Sequence, residues 1–353
     1  MLYIYSLKDK GRRALDGRSL PSLLFSYEVL AVKKKINGRI YKMKDNNLYK
    51  IKINEKYGFI NKQGDIIIEP SYKAVNNFCE GLAYVWTFDD KEGYINTENE
   101  WVIELSADFL GDFEHGLALV YYKGKYGCIN KQGEFVIEPI FDRIHGINPG
   151  FSVIAEKNKK VGIFGVSGEI IIDPIFDVMG TFSNGLALVK QGTKFGFIND
   201  RGELKIDYQF NSVSNFSEGL AEASVDGEFY GFINQQGEFL IQPEYYQVSS
   251  FSEGLGGFKL KANGKWGFID HLGSRVIKDK FQSVGEFQNN LAPVESKDMY
   301  GYINKNGNYI IKNIFTTADS FYNNLGCVTF NGEWGYVDEG GKWVFKPSNF
   351  NLW

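Results

Sequence analysis

Apolar residues in this chain come in short bursts bounded by Gly, Asn and Asp, and the bursts recur with a fixed period. The marker is a glycine behind a bulky, usually aromatic residue and ahead of an apolar pair. It stands at Gly58, Gly93, Gly127, Gly162, Gly196, Gly231, Gly267, Gly301 and Gly335, at spacings of 34 to 36 residues. A period that steady defines a repeat array. Around Gly58 the pattern predicts strands at Tyr57 to Asn61 and Ile66 to Ile68, rich in Ile and aromatics. A further strand, such as Leu82 to Val85 or Leu117 to Val120, precedes each glycine motif. The expected unit is a three-stranded antiparallel meander.

Turn chemistry sharpens the unit. A second glycine follows the first by six positions at Gly64, Gly133, Gly168, Gly202, Gly237, Gly273, Gly307 and Gly341, and Asn99 takes the place in the second copy. Asn is the other residue that tolerates positive φ, so the position needs a left-handed backbone. Asn61-Lys62-Gln63-Gly64 reads as a type I turn closed by a left-handed glycine, its Asn side chain bonding the N–H two residues on. The fourth copy has Gly165 in place of that Asn, which predicts a looser hairpin. Pro70, Pro139, Pro174, Pro243 and Pro347 stand twelve residues after their glycines, where they are expected to end a strand. Loops such as Phe78-Cys79-Glu80-Gly81 and Phe216-Ser217-Glu218-Gly219 link the units, with Asn290 and Asn324 replacing the glycine late in the chain.

These residues resemble the bacterial WG-repeat family, also called KWG, whose copies read aromatic-Gly-Tyr/Phe-Ile-Asp/Asn-x-x-Gly, then Pro, then Phe-x-x-Gly-Leu-Ala. The resemblance spans residues 36 to 347, with the eponymous tryptophan at Trp266 and Trp334 only. It implies tandem β repeats and supplies no catalytic residues. Residues 1–35 lie outside the period and are expected to cap the first repeat; 348–353 form a C-terminal tail.

Both faces of each meander are apolar: Tyr57 and Phe59 point one way and Ile60 the other. Such a sheet needs neighbours on both sides. With three strands per unit, and a chain that starts and stops in one repeat phase, an open solenoid or superhelix is the expected all-β architecture. A β-propeller-like closed ring is the alternative. The open array predicts a radius of gyration clearly above that of a compact globule, and survival of the remaining copies when residues 312–353 are deleted.

Composition narrows the function classes. A net charge of −4 and a pI near 5.6 argue against nucleic acid as a partner. No run approaches the length needed to cross a bilayer, and Met1-Leu2-Tyr3-Ile4-Tyr5 precedes its basic residues rather than following them, unlike a signal peptide. Cys79, Cys128 and Cys327 fall at unrelated repeat positions and read as thiols of a cytoplasmic protein. His115, His145 and His271 are the only histidines; His115 and His271 read as exposed loop filler. Glu80, Glu114, Glu218 and Glu253 read as a solvated acidic edge. The second copy (Glu92, Asn99, Leu105) and the fourth (His145 to Gly150, Val161, Phe164) break the pattern, and drift accounts for them.

No catalytic, metal or cofactor motif stands out from the repeat. The expected function is a non-catalytic repeat scaffold, not an enzyme, binding a protein or peptide or else a glycan, with no cofactor. The alternative is an enzyme or regulatory factor with a site in an inter-repeat groove or in the N-terminal extension.

The turn assignment is directly testable. Gly237→Val places a β-branched residue at positive φ and is expected to cost on the order of 1–3 kcal/mol. Gln236→Val, in the same exposed hairpin, should be nearly neutral. Equal melting-point shifts for the two variants would overturn the register.

Overall fold

A computed structural model describes residues 47–150 and 152–346, and the backbone of three two-residue strands, Tyr3–Ile4, Lys35–Ile36 and Arg39–Ile40. Most of the expected N-terminal cap, together with Pro347 and the 348–353 tail, lies outside the described residues. The meander is four-stranded, not three-stranded. Blade 5 shows the pattern: strand A Val178–Met179, B Ala187–Gln191, C Lys194–Ile198 and D Leu204–Phe210, paired antiparallel in that order. Strand A is only two residues long in most blades, too short to register as an alternation of apolar and polar positions.

Blade 1 occupies 49–72 and has three strands, equivalent to B, C and D, among the described residues. Blade 2 occupies 74–104, with Tyr3–Ile4 added in parallel to its D strand. Blades 3 to 9 occupy 109–141, 143–176, 178–210, 212–245, 247–281, 283–315 and 317–345.

Pro70, Pro139, Pro174 and Pro243 do not end strands. Pro174 lies inside strand Ile170–Phe176. Val161 pairs with Phe176 and Ile163 with Ile172, so four steps along D match two along C. The surplus forms a bulge, and a bulge is where a residue without an N–H fits a sheet. That bulge folds D across the C-strand glycine: a Cβ on Gly162 would lie 2.5 Å from the Ile172 carbonyl oxygen and 2.7 Å from the Pro174 nitrogen. The repeat-marking glycine is therefore set by close backbone approach, whereas the second glycine is set by conformation. Gly202 has φ of +77° and Asn99 of +63°, as the left-handed turn requires. In that turn Asn199 Oδ1 accepts from the N–H of Arg201 at 3.1 Å and of Glu203 at 2.9 Å. The fourth hairpin is not loosened, because the Glu169 carboxylate takes the role of the missing Asn. It accepts from the Ser167 N–H at 3.0 Å and hydroxyl at 2.7 Å, and the Gly168 N–H still bonds the Gly165 carbonyl at 3.0 Å.

Blades meet through a continuous series of apolar clusters, and the series closes. Phe59, Ile68 and Tyr72 of blade 1 pack on Val75, Ala83 and Val85 of blade 2. Equivalent clusters join each later pair up to blades 8 and 9. A ninth joins Leu325 and Tyr336 of blade 9 to Tyr49, Ile51 and Ile60 of blade 1. The rings of Tyr49 and Tyr336 lie 5.6 Å apart. The Tyr49 hydroxyl donates to the Asn323 carbonyl, and the Tyr336 hydroxyl donates to the Lys50 carbonyl at 3.2 Å. The expected open solenoid is thus overturned: the chain is a closed ring of nine blades, a β-propeller. Stacked layers would have left blade 1 and blade 9 each with one uncovered apolar face, and closure covers both.

Antiparallel order puts the A–B and C–D turns on one face of the ring and the B–C turns on the other. A–B turns of neighbouring blades touch, with the Ser217 hydroxyl donating to Phe251 O at 2.7 Å and Ser252 to Phe287 O at 2.7 Å. This places strand A at the hub. Strand D forms the rim, where Ile67, Ile171, Leu240 and Ile310 are about half exposed.

The seam generates a prediction opposite to that of an open array. Deleting residues 312–353 removes the partner of Tyr49 and Ile60 at the far end of the chain. Amide-exchange protection in Tyr49–Ile53 is expected to fall together with that in blade 8. Unchanged protection in Tyr49–Ile53 would show that blade 1 does not depend on closure.

Candidate functional site

Strand B carries one position per blade that pairs with the residue after the marker glycine and faces the next blade. In blades 3, 4 and 5 it is Leu119, Ile154 and Leu188, paired with Cys128, Ile163 and Phe197. In blade 6 it is Glu222, paired with Phe232. The position varies, with Lys50, Tyr84, Gly257, Pro293 and Cys327 in the remaining blades, and Glu222 is its one carboxylate. Blade 7 has Gly257 at the equivalent position, paired with Phe268, where an added Cβ would meet Val284 of blade 8.

Glu222 opens onto a cleft of about 570 Å³ between blades 6 and 7, lined also by Ser212, Glu228, Tyr230, Tyr246 and Gln247. The cleft lies toward the B–C turn face. Most B–C turns are tight, as where Lys123 and Gly124 alone separate Tyr122 from Lys125. Blade 6 inserts Val225 to Phe229 between its strands. This longer loop is held by its own side chains: Asp226 Oδ1 accepts from the N–H of Glu228 at 2.8 Å and of Phe229 at 3.0 Å, and Ser224 Oγ accepts from Gly227 N–H at 2.8 Å. Those N–H bonds to Phe229 and Glu228 lower the Asp226 carboxyl below its usual range. The loop thereby presents Glu228 at the mouth while Glu222 stays half-buried at the wall.

Burial raises the Glu222 carboxyl above the ordinary carboxylate range. The Ser250 hydroxyl, donating to Oε1 at 2.9 Å, opposes this, and the Glu286 carboxylate adds to it. Glu222 makes no ion pair among the described residues. The signal was readable in the repeat alignment: Leu117-Ala118-Leu119 and Leu186-Ala187-Leu188 become Leu220-Ala221-Glu222.

The residues singled out from the sequence go elsewhere. Glu80, Glu218 and Glu253 are not a solvated row; they stitch the A–B turn face. Each sits at left-handed φ near 51° or 52° as the first half of a two-residue turn, a cost accepted to aim its carboxylate. Glu80 accepts from Gly116 N–H at 3.0 Å, Glu218 from Gly254 N–H at 3.0 Å and Glu253 from Asn290 N–H at 2.9 Å, always across a blade junction. Lys131, His271 and Lys305 lie 3.0, 3.0 and 3.2 Å from the same carboxylates. His271 also stacks on Phe251 with centroids 4.5 Å apart, so it is a joint component and not loop filler. Glu114 does not belong to this set: it ends strand Phe109–Glu114, and His115 takes the left-handed turn position. In the second copy Glu92 accepts from the Tyr84 hydroxyl at 2.9 Å and from Ala107 N–H at 3.2 Å, a compensated change.

A second cleft, about 460 Å³, brings Cys79, Asp112 and His145 together between blades 3 and 4. Burial and the Asp112 carboxylate raise the Cys79 thiol, which disfavours the thiolate a nucleophile requires. No group of three His, Cys, Asp or Glu side chains is placed to hold a metal ion among the described residues.

The architecture and cleft define a class: a nine-bladed β-propeller with an acidic, tyrosine-lined cleft between blades 6 and 7. Within that class the chain belongs to the WG containing repeat family, which matches it at 57–85, 93–126, 126–160, 162–194, 195–229, 230–266, 266–298, 300–334 and 334–351. No curated protein matches the sequence. Among solved structures, the crystal structure of the eukaryotic initiation factor is similar with a TM-score of 0.63 and 11% identity, covering 85% of this chain and 94% of that one. BamB from Moraxella catarrhalis has a TM-score of 0.41 at 11% identity, covering 74% of this chain and 92% of that one. Kluyveromyces lactis Hsv2p has a TM-score of 0.42 at 11% identity, covering 65% and 92%. At these identities the first likeness shows the fold alone, and the other two carry no argument.

Glu222 generates a stability prediction with a definite sign. Its folded pKa lies above the unfolded value, so the folded chain holds the proton more tightly. Stability from this group is complete at low pH and is withdrawn as pH rises through the folded pKa. Glu222→Leu, copying blades 3 and 5, should therefore stabilise the protein at pH 8 by on the order of 1 kcal/mol, with the gain shrinking toward pH 4. Paired denaturation curves at the two pH values check this; a destabilised variant at pH 8 would make Glu222 a structural residue.

Proposed function

We propose that this propeller is a non-catalytic binding scaffold whose ligand, a protein or peptide, engages the cleft between blades 6 and 7. The observation that carries the reading is Glu222: a half-buried carboxylate without an ion pair among the described residues, at a strand-B position where no other blade places an acid, costs stability and needs a reason outside folding. The same cleft offers Tyr230 and Tyr246, large side chains with two rotatable bonds and a hydrogen-bonding tip, which suit recognition. Under this reading the rest of the ring is rigid support, since loops on a fixed β frame are where binding concentrates. Cys79, Cys128 and Cys327, all free, fit a protein working in a reducing cytoplasm.

Peptide and glycan arrays probed with the wild-type protein and with a Tyr230→Ala/Tyr246→Ala variant test the proposal. Saturable peptide binding that falls by at least about tenfold in the variant is expected, given what buried aromatic anchors contribute to interfaces. Peptide binding untouched by the variant would move the site elsewhere. Turnover of a hydrolase substrate, abolished by one substitution in the cleft, would make the protein an enzyme and overturn the reading.

A further inference from the structure

On the B–C face a lysine often ties a B–C turn to the neighbouring connection between blades. Lys160 of the blade 4 turn lies 2.6 Å from Asp177, which starts the connection into blade 5, and Lys125 of the blade 3 turn pairs with Asp142 on the way into blade 4. Blade 2 uses Lys73, which lies 3.2 Å from Asp90 and 3.5 Å from the centre of the Trp86 ring. The chain therefore fills these corners with its own ammonium groups, each held by a carboxylate and, at Lys73, by an aromatic face as well. The connections entering blades 6 and 7 begin instead with Asn211 and Tyr246, and neither carries such a pair among the described residues. Between them, the cleft keeps the other two components of the Lys73 site, carboxylates at Glu222 and Glu228 and aromatic rings at Tyr230 and Tyr246.

We infer that this cleft takes an external cation, the ammonium or guanidinium group of a lysine or arginine side chain, at the kind of corner that a lysine of the chain itself fills between blades 1 and 2, 3 and 4, and 4 and 5. The inference rests on the binding reading above and specifies its ligand. A charged donor meets Glu222 where water is partly excluded, so the bond is stronger than at a free surface. Tyrosine ring faces carry the negative end of the quadrupole and attract the same charge. The Glu286 carboxylate, whose charge reaches Glu222, disfavours an anion there and favours a cation. No lysine or arginine lines the cleft to compete.

Calorimetric titration with blocked tripeptides, Gly-Lys-Gly, Gly-Arg-Gly, Gly-norleucine-Gly and Gly-Glu-Gly, tests the charge requirement. The Lys or Arg peptide should bind at least about tenfold more tightly than the norleucine peptide, as expected when one charge-assisted bond is added. Glu222→Gln, which keeps the shape and the Ser250 bond, should erase that preference while leaving the melting profile cooperative. Glu222→Leu gives a second readout on a fold expected to be at least as stable. Butylammonium and spermidine as free ligands separate a small amine from a peptide side chain: binding of these at equal strength would assign the site to free amines, and the side-chain inference fails. Equal binding of norleucine and lysine peptides, with loss in the Tyr230→Ala/Tyr246→Ala variant, would overturn the cation and leave the binding reading intact. Binding that neither the tyrosine nor the glutamate variants alter would overturn both.

Discussion

The whole ring depends on one close backbone approach. In blades 1 and 3 to 8 strand D bulges over strand C at the marker glycine, and any Cβ there would collide with a carbonyl oxygen that cannot move without dismantling the sheet. The bulge takes up two extra residues of D, which turns the strand end toward the next blade and brings residues such as Phe176 and Phe210 into the junction clusters. Without it the strands would lie flat, and the apolar faces of successive sheets would not meet at the angle a ring requires. A single missing side chain per repeat thus fixes twist, junction and curvature together.

Ring closure uses the same kind of apolar packing as the internal junctions. The seam between blades 9 and 1 has a buried aromatic pair, two tyrosine hydroxyl bonds across the gap, and the blade 1 turn at Gly64 set against Val344. At internal junctions the corresponding glycine meets an isoleucine of the preceding D strand, as Gly202 meets Ile172. The two ends of the chain are joined by packing and hydrogen bonds alone among the described residues, so the seam is as strong as its apolar burial makes it.

Much of this was legible in the residues. The period, the left-handed glycine and the Asn61-type turn are local, and local chemistry determines them completely. Strand D was truncated in that reading because proline was taken as an end, when Pro70 and Pro174 mark a bulge inside it. Strand A was missed because two residues cannot show a period. Closure stood only as the alternative to an open array: Tyr49 and Tyr336 look alike in both, since what distinguishes them is accumulated rotation over nine blades. The cleft lay hidden for a different reason. Glu222 is one carboxylate among many, and only its inward-facing register, set by pairing with Phe232, separates it from the solvated ones.

The family repeat and the blade are out of step: the match at 195–229 starts on strand C of blade 5 and ends in the B–C loop of blade 6. Every copy therefore contributes half of one sheet and half of the next, as a chain link engages two neighbours. Duplication or loss of one copy in the gene would add or remove a complete blade while leaving every junction, the seam included, chemically unchanged. Blade number in such a ring is then free to drift by recombination, with the circumference, and not the fit of any single joint, deciding which sizes close.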